Sequence, residues 1–176
     1  MTSAHLLLRQ ATADAHDVVD AAFGRFDLTR ADDYRNFLSA QAEVLAPLEA
    51  LLMKSPQLPP WRPRLALLAR DLAALDADLP HPAPVDGLDG PGELLGALYV
   101  LEGSRLGGGM LVRGVGPGLP REFLGATHLK GEWRALLAEL DAAAQTAPAE
   151  AAMLAGARRV FRLYAEAAER VATAAA

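Results

Sequence analysis

The chain contains no cysteine. Disulfides, Cys-ligated zinc, iron–sulfur clusters and thiol nucleophiles are thereby excluded. Aromatic residues are scarce at 6%, while Ala and Leu dominate a sequence that is 52% hydrophobic, a bias that favours helices over strands. No period-two alternation and no internal repeat stands out. Lys and Arg are scattered without a polybasic run, and the formal net charge is −5, so nucleic-acid binding is not expected. The most apolar window, LLGALYVLEGSRLGGGMLV, carries Glu102 and Arg105 near its middle, so no membrane span is expected. The N-terminal stretch MTSAHLLLRQATADAH lacks a basic segment followed by a long apolar one, so no signal peptide and a cytoplasmic location are expected.

The 176 residues suffice for one domain with a substantial core, and the whole chain, 1–176, reads as a single domain. Helical apolar spacing fills most of it. A first helix runs from a Ser/Thr cap to about Phe23. A second starts at Thr29 as N-cap, with acids in its first turn and Pro47 as a candidate kink. A third is opened by the prolines of PPWRPR. The stretch DADLPHPAPVDGLDGPG reads as a loop. Pro91 then opens a helix that GVGPGLP ends. A shorter helix spans about His128 to Ala144, and the last begins near Pro148. The expected architecture is an all-α, multi-helix bundle of six or seven helices.

Two stretches carry candidate chemistry. LEGSRLGGG (101–109) places four glycines inside an otherwise strong helix, at about 1 kcal/mol each relative to alanine. The sum, about 4 kcal/mol, is large against a typical net stability of about 5–15 kcal/mol. Gly103 and Gly107 are four apart and share a face, extended by Tyr99 and Met110, with Ser104 and Gly108 beside it. Such a stripe serves either close helix–helix packing or the approach of a flat ligand to bare backbone. No GK[ST] follows, which argues against a phosphate loop. Of the four histidines, His81 falls in the proline-rich loop, and His5 and His128 lie near helix starts, where exposure is expected. His16 is mid-helix. Arg9, Thr12, Val19, Asp20 and Phe23 share its side, and Asp20 at i+4 can accept a hydrogen bond from one ring nitrogen, the usual support of a metal-ligating histidine. A lone helical histidine is more often structural or on the surface.

Taken in order along the chain, these stretches resemble a known family. LRQATADAH, with an acid four positions on, is similar to the proximal helix of heme oxygenases. LYVLEGSRLGGGML resembles their distal helix, in the bacterial form where EGS-x-LGG replaces the GD-x-x-GG of the animal enzymes. YRNFLSAQAEVLAPLE resembles the second helix and VFRLYAEAAE the last. The resemblance covers most of the chain.

The resemblance implies a fold in which heme lies between a proximal and a distal helix. It implies His16 as the iron ligand, supported by Asp20. It makes Gly103, Gly107 and Gly108, with Ser104, the distal residues that let the backbone lie against the porphyrin. Arg9 and Arg134 match basic residues that bind propionates. Arg158, Arg159 and Arg162 crowd the last helix as further cations. Phe161 matches an aromatic beside the pocket, Thr12 lies on the wall, and Tyr99 is a candidate for the distal proton path. The implied activity is that of a monooxygenase opening heme b to biliverdin, with release of CO and ferrous iron. It uses O2 and electrons from a ferredoxin or flavodoxin-type reductase. Ser104 stands where the animal enzymes carry an aspartate, and a hydroxyl brings no charge to organise water. That departure leaves open a heme-binding storage or sensing protein without turnover, beside a plain helical interaction protein. A thiaminase-like activity would need the missing cysteine.

Overall fold

The computed structural model describes residues 3–175. Among them are eight α-helices and no strand: α1 (Ala4–Ala11), α2 (Ala13–Phe23), α3 (Ala31–Leu52), α4 (Leu65–Ala73), α5 (Pro91–Leu111), α6 (Glu122–Gly125), α7 (Glu132–Ala143) and α8 (Ala147–Ala175). The all-α expectation holds. Two elements raise the six helical segments read in the sequence to eight. The first helix is divided at Thr12, and the one-turn α6 was not anticipated.

The division at Thr12 is local chemistry. Its hydroxyl donates to the Leu8 carbonyl at 2.8 Å, a bond that competes with the regular helix ladder and bends the chain. Thr12 leaves the helical region at φ −116°, and α2 restarts with His16 N–H donating to the Thr12 carbonyl. The guanidinium of Arg158 on α8 donates to the carbonyl of Ala11 at 2.8 Å, satisfying the acceptor that the break leaves over. Ser3 caps α1 by accepting from Leu6 N–H; Thr2 lies outside the described residues.

Other helix starts depart from the sequence reading. Thr29 does not cap α3. Its hydroxyl donates to Asp27 and the cap position is Arg30. The prolines of PPWRPR form an extended strap and α4 begins only at Leu65, after Arg64. The helix expected from His128 begins at Glu132. Pro47 lies inside α3 without ending it. Having no N–H, it cannot serve the carbonyl of Glu43. Ala83, in the long connection between α4 and α5, donates to that carbonyl at 2.9 Å instead.

One continuous hydrophobic core runs through these helices, with α5 and α8 in the most extensive contact. Glycine makes that contact close. A Cβ on Gly96 would fall on the Met153 carbonyl of α8. One on Gly156 would fall on the Glu93 carbonyl of α5, and one on Gly92 would lie 2.6 Å from the Ala152 methyl. The first two turns of α5 therefore seat backbone against backbone, which leaves its second half to form something else.

Candidate functional site

Between α2 and the second half of α5 lies a cavity of about 1120 Å³. That exceeds the about 300–1,000 Å³ usual for small-molecule sites. Its walls are mainly apolar. Phe23, Phe26, Leu28 and Phe37 close one end, with Phe23 and Phe37 edge to face at 5.3 Å.

The two walls are of opposite character. On α2, His16 faces the cavity with its side chain 59% exposed. Asp20 holds Nδ1 at 3.1 Å, so Nε2 is the nitrogen left for a ligand. The ring of Phe161, on α8, lies edge-on to the His16 imidazole at 5.8 Å. Across the cavity α5 presents bare backbone. A Cβ on Gly107 would meet nothing within 4 Å, and one on Gly103 only the rim of Trp133 at 3.9 Å. Gly108 is different. Its Cβ would lie 3.1 Å from the Leu124 carbonyl of α6, and one on Gly109 would be 3.1 Å from the Thr127 methyl. The glycines of α5 therefore fall into two kinds. Gly92, Gly96, Gly108 and Gly109 serve packing, while Gly103 and Gly107 open onto the cavity.

The cavity brings together Arg9, Thr12, His16, Asp20, Tyr99, Gly103, Ser104, Gly107, Gly108 and Phe161. Arg134 is not among the lining residues and lies exposed on α7. Arg158 is engaged by Ala11 and Arg159 by Asp86. At the cavity's other end Arg9 stands near enough to Tyr99 to oppose, through its charge, the upward shift that burial imposes on the phenol. His5, expected to be exposed, is half-buried on the wall, edge-on to Tyr99 and to Trp133. His128, also expected to be exposed, is 8% exposed at its side chain and lies behind α5. Membership of one face decides these cases, and proximity to a helix start does not.

Sequence reasoning missed Arg64. It ends the PPWRPR strap and is one of the largest fully buried side chains. Its guanidinium donates to Ser104 Oγ at 2.5 Å and to the Leu101 carbonyl at 3.0 Å, and lies over the Phe123 ring at 4.9 Å. Burial, with the repulsion of Arg105, pulls it down to about 10, so it is charged at neutral pH. Ser104 Oγ donates in turn to the Leu101 carbonyl at 2.6 Å. The nearby carboxylate of Glu49 is spent on backbone, accepting from the N–H groups of Arg64 and Leu65 at 2.6 and 3.0 Å. Glu49 was the available signal. A glutamate on the apolar face of α3 needs buried donors.

No protein-family model and no curated protein matches the sequence. Among solved structures, the NO- and CO-bound heme oxygenase from Neisseria meningitidis superposes with a TM-score of 0.82. The match covers 97% of this chain and 92% of that one, at 22% sequence identity. No helix among the described residues is long and apolar enough to cross a membrane. The chain thus has the fold of that heme oxygenase.

Proposed function

We propose that the protein is a heme-degrading monooxygenase that opens heme b to biliverdin with release of CO and ferrous iron, using O2 and electrons from an external ferredoxin or flavodoxin-type reductase. The observation that carries this reading is the facing of His16 by the bare backbone of Gly103 and Gly107 across a large apolar cavity. The residues fit a flat iron porphyrin. A neutral imidazole with one nitrogen held by a carboxylate and the other free is an iron donor, and side-chain-free backbone opposite it leaves room for a macrocycle. Heme, as substrate and cofactor together, supplies both the redox-active iron at which O2 is reduced and the ring that is opened.

The chain's own residues have separable tasks. His16 Nε2 would hold the iron, and Asp20 fixes the ring's tautomer and direction. Gly103 and Gly107 admit the macrocycle against the α5 backbone. Arg9, at one end of the cavity, would bind a propionate carboxylate, and the Tyr99 hydroxyl would serve the distal proton path. Phe23, Phe26 and Phe37 exclude water at the other. Arg64 keeps a positive charge beside Ser104 and orients its hydroxyl.

A second reading rests on that same hydroxyl. Ser104 already donates to the Leu101 carbonyl and accepts from Arg64, so its capacity for water is largely used. This favours a heme-binding protein without turnover. Hemin titration followed by ascorbate in air, with catalase present, separates the two. Loss of the Soret band with growth of a broad red biliverdin band, abolished by His16→Ala, is the expected result. A Soret band that shifts on binding and then survives both ascorbate and a ferredoxin-based electron supply would establish the second reading. No shift on adding hemin would refute both.

A further inference from the structure

Behind α5, on the face turned away from the cavity, lies a buried ionic cluster that the proposed chemistry does not use. Glu102 accepts two bonds from Arg105 Nε, at 3.0 Å each, and its Oε2 lies 3.1 Å from His128 Nε2. The Arg105 side chain is 1% exposed. Its two terminal nitrogens leave α5 altogether. Nη1 donates to the Ala126 carbonyl at 3.0 Å and Nη2 to the Arg62 carbonyl. Arg62 then turns outward, donating to Glu132 at 2.7 and 2.9 Å and to the Thr127 carbonyl at 3.0 Å. The second half of α5 is thus pinned from behind to the 59–64 strap and to the 126–131 loop.

Such a cluster is a poor source of stability. Taking a carboxylate and a guanidinium out of water costs several kcal/mol apiece in effect, and apolar replacements of a buried ion pair are often neutral or stabilising. What ion pairs supply and apolar contacts do not is a fixed register. Here register is in short supply. Gly103 and Gly107 present no side chains to interlock, so the cavity face of α5 cannot locate the helix. The cluster also reaches the cavity through one rigid part. The His128 ring lies 5.6 Å from the Trp133 ring, and the rim of Trp133 is the single neighbour of a Cβ built on Gly103.

We propose that Glu102, Arg105 and His128 are positioning residues that hold the Gly103–Gly107 backbone at one setting over the cavity. Resting on the function proposed above, they thereby determine which meso edge of the macrocycle is attacked. The cluster substitutes for the side-chain packing that the glycines forgo. It fixes depth and rotation of α5, while His16 and Arg9 hold the ligand.

The test replaces all three groups together, Glu102→Leu with Arg105→Met and His128→Leu, so that no lone charge is left buried. Amide hydrogen exchange of the ligand-free protein is read first. Amides from Gly103 to Leu111 are expected to exchange about tenfold faster, with those of α8 unchanged, because local opening free energies report the restraint on each segment. Hemin affinity, from the Soret shift, is expected to stay within about threefold, since no cavity-lining group is altered. The product is expected to change from one dominant biliverdin isomer to a mixture. Should the triple variant fail to fold, His128→Leu leaves the Glu102–Arg105 pair intact and removes the link to Trp133, and the same exchange and isomer measurements apply. Unchanged exchange across Gly103–Leu111, or a single isomer retained despite faster exchange, overturns the proposal. A wild-type protein that never shifts the Soret band defeats the heme reading instead, and the exchange measurement still decides whether the cluster restrains α5.

Discussion

Two glycines on one helix should respond oppositely to the same substitution. Gly107 sits in the interior of α5 with open space where a Cβ would go. Alanine there removes the entropic cost of glycine in a helix, about 1 kcal/mol, and collides with nothing. For a chain of this size, ligand-free Gly107→Ala should therefore melt about 2–4 °C higher. The added methyl projects into the cavity, where an intruding group of that size costs about 1–3 kcal/mol. That corresponds to about a 5- to 150-fold loss of hemin affinity. Gly96→Ala makes the opposite case. Its Cβ would fall on the Met153 carbonyl, so α5 and α8 must separate. Overpacking of about 2–3 kcal/mol outweighs the helix gain and should lower the melting temperature by several degrees. Thermal unfolding of the ligand-free proteins, followed by hemin titration, measures both. A Gly107→Ala variant that loses stability would refute the placement of this position on an open face. One that gains stability yet binds hemin as well as wild type would refute the claim that a ligand lies against it.

Three further outcomes are expected. Asp20→Asn should weaken hemin binding about tenfold by loosening the hold on His16 Nδ1, as seen when the outer partners of ligating histidines are removed, and a Soret titration checks it. Asp71, at the end of α4, accepts from the N–H groups of Glu122 and Phe123 at 3.1 and 2.9 Å and so caps α6; Asp71→Ala leaves them unpaired and should cost about 1–3 kcal/mol in urea unfolding. The Arg62 pair holds Glu132 down at about 2, below its ordinary 4.5, so the stabilisation is full above about pH 4.5 and is lost as pH falls toward 2. The difference in urea midpoint between wild type and Glu132→Gln should shrink over that interval, and a difference constant down to pH 2 would contradict it.

Much of this was legible in the chain. Helical apolar spacing marks the long helices because their buried stripes repeat every three to four residues, and Pro91 and the GVGPGLP segment bracket α5 by backbone chemistry alone. His16 with Asp20, and Gly103 with Gly107, emerge because both pairs obey the four-residue geometry of a single helix. Features made by individual side-chain bonds and by long-range contact were hidden. The break at Thr12 depends on a side-chain bond that apolar spacing does not register. The four residues of α6 exist because Asp71 caps them from another helix. Arg64 was not singled out because its partners Ser104 and Leu101 are distant in sequence, and Arg134 matched by order along the chain but lies exposed on α7. His5 acquired its surroundings from Tyr99 and Trp133, and His128 from Glu102, all distant in sequence.

The proline inside α3 bears on how the chain finds this arrangement. The connection from residue 74 to residue 90 is long and carries almost no regular structure. Ala83 divides it by docking on the Glu43 carbonyl, the one acceptor in mid-helix that Pro47 leaves vacant. A free excursion of that length becomes two shorter closures. Once Ala83 is docked, the remaining closure to Pro91 costs about 0.6 kcal/mol less than closing the whole connection in one step. The second closure ends at Pro91, where the helix bearing both the packing glycines and the open ones begins. A residue usually counted as a defect in a helix thus supplies the anchor that divides the connection leading to α5.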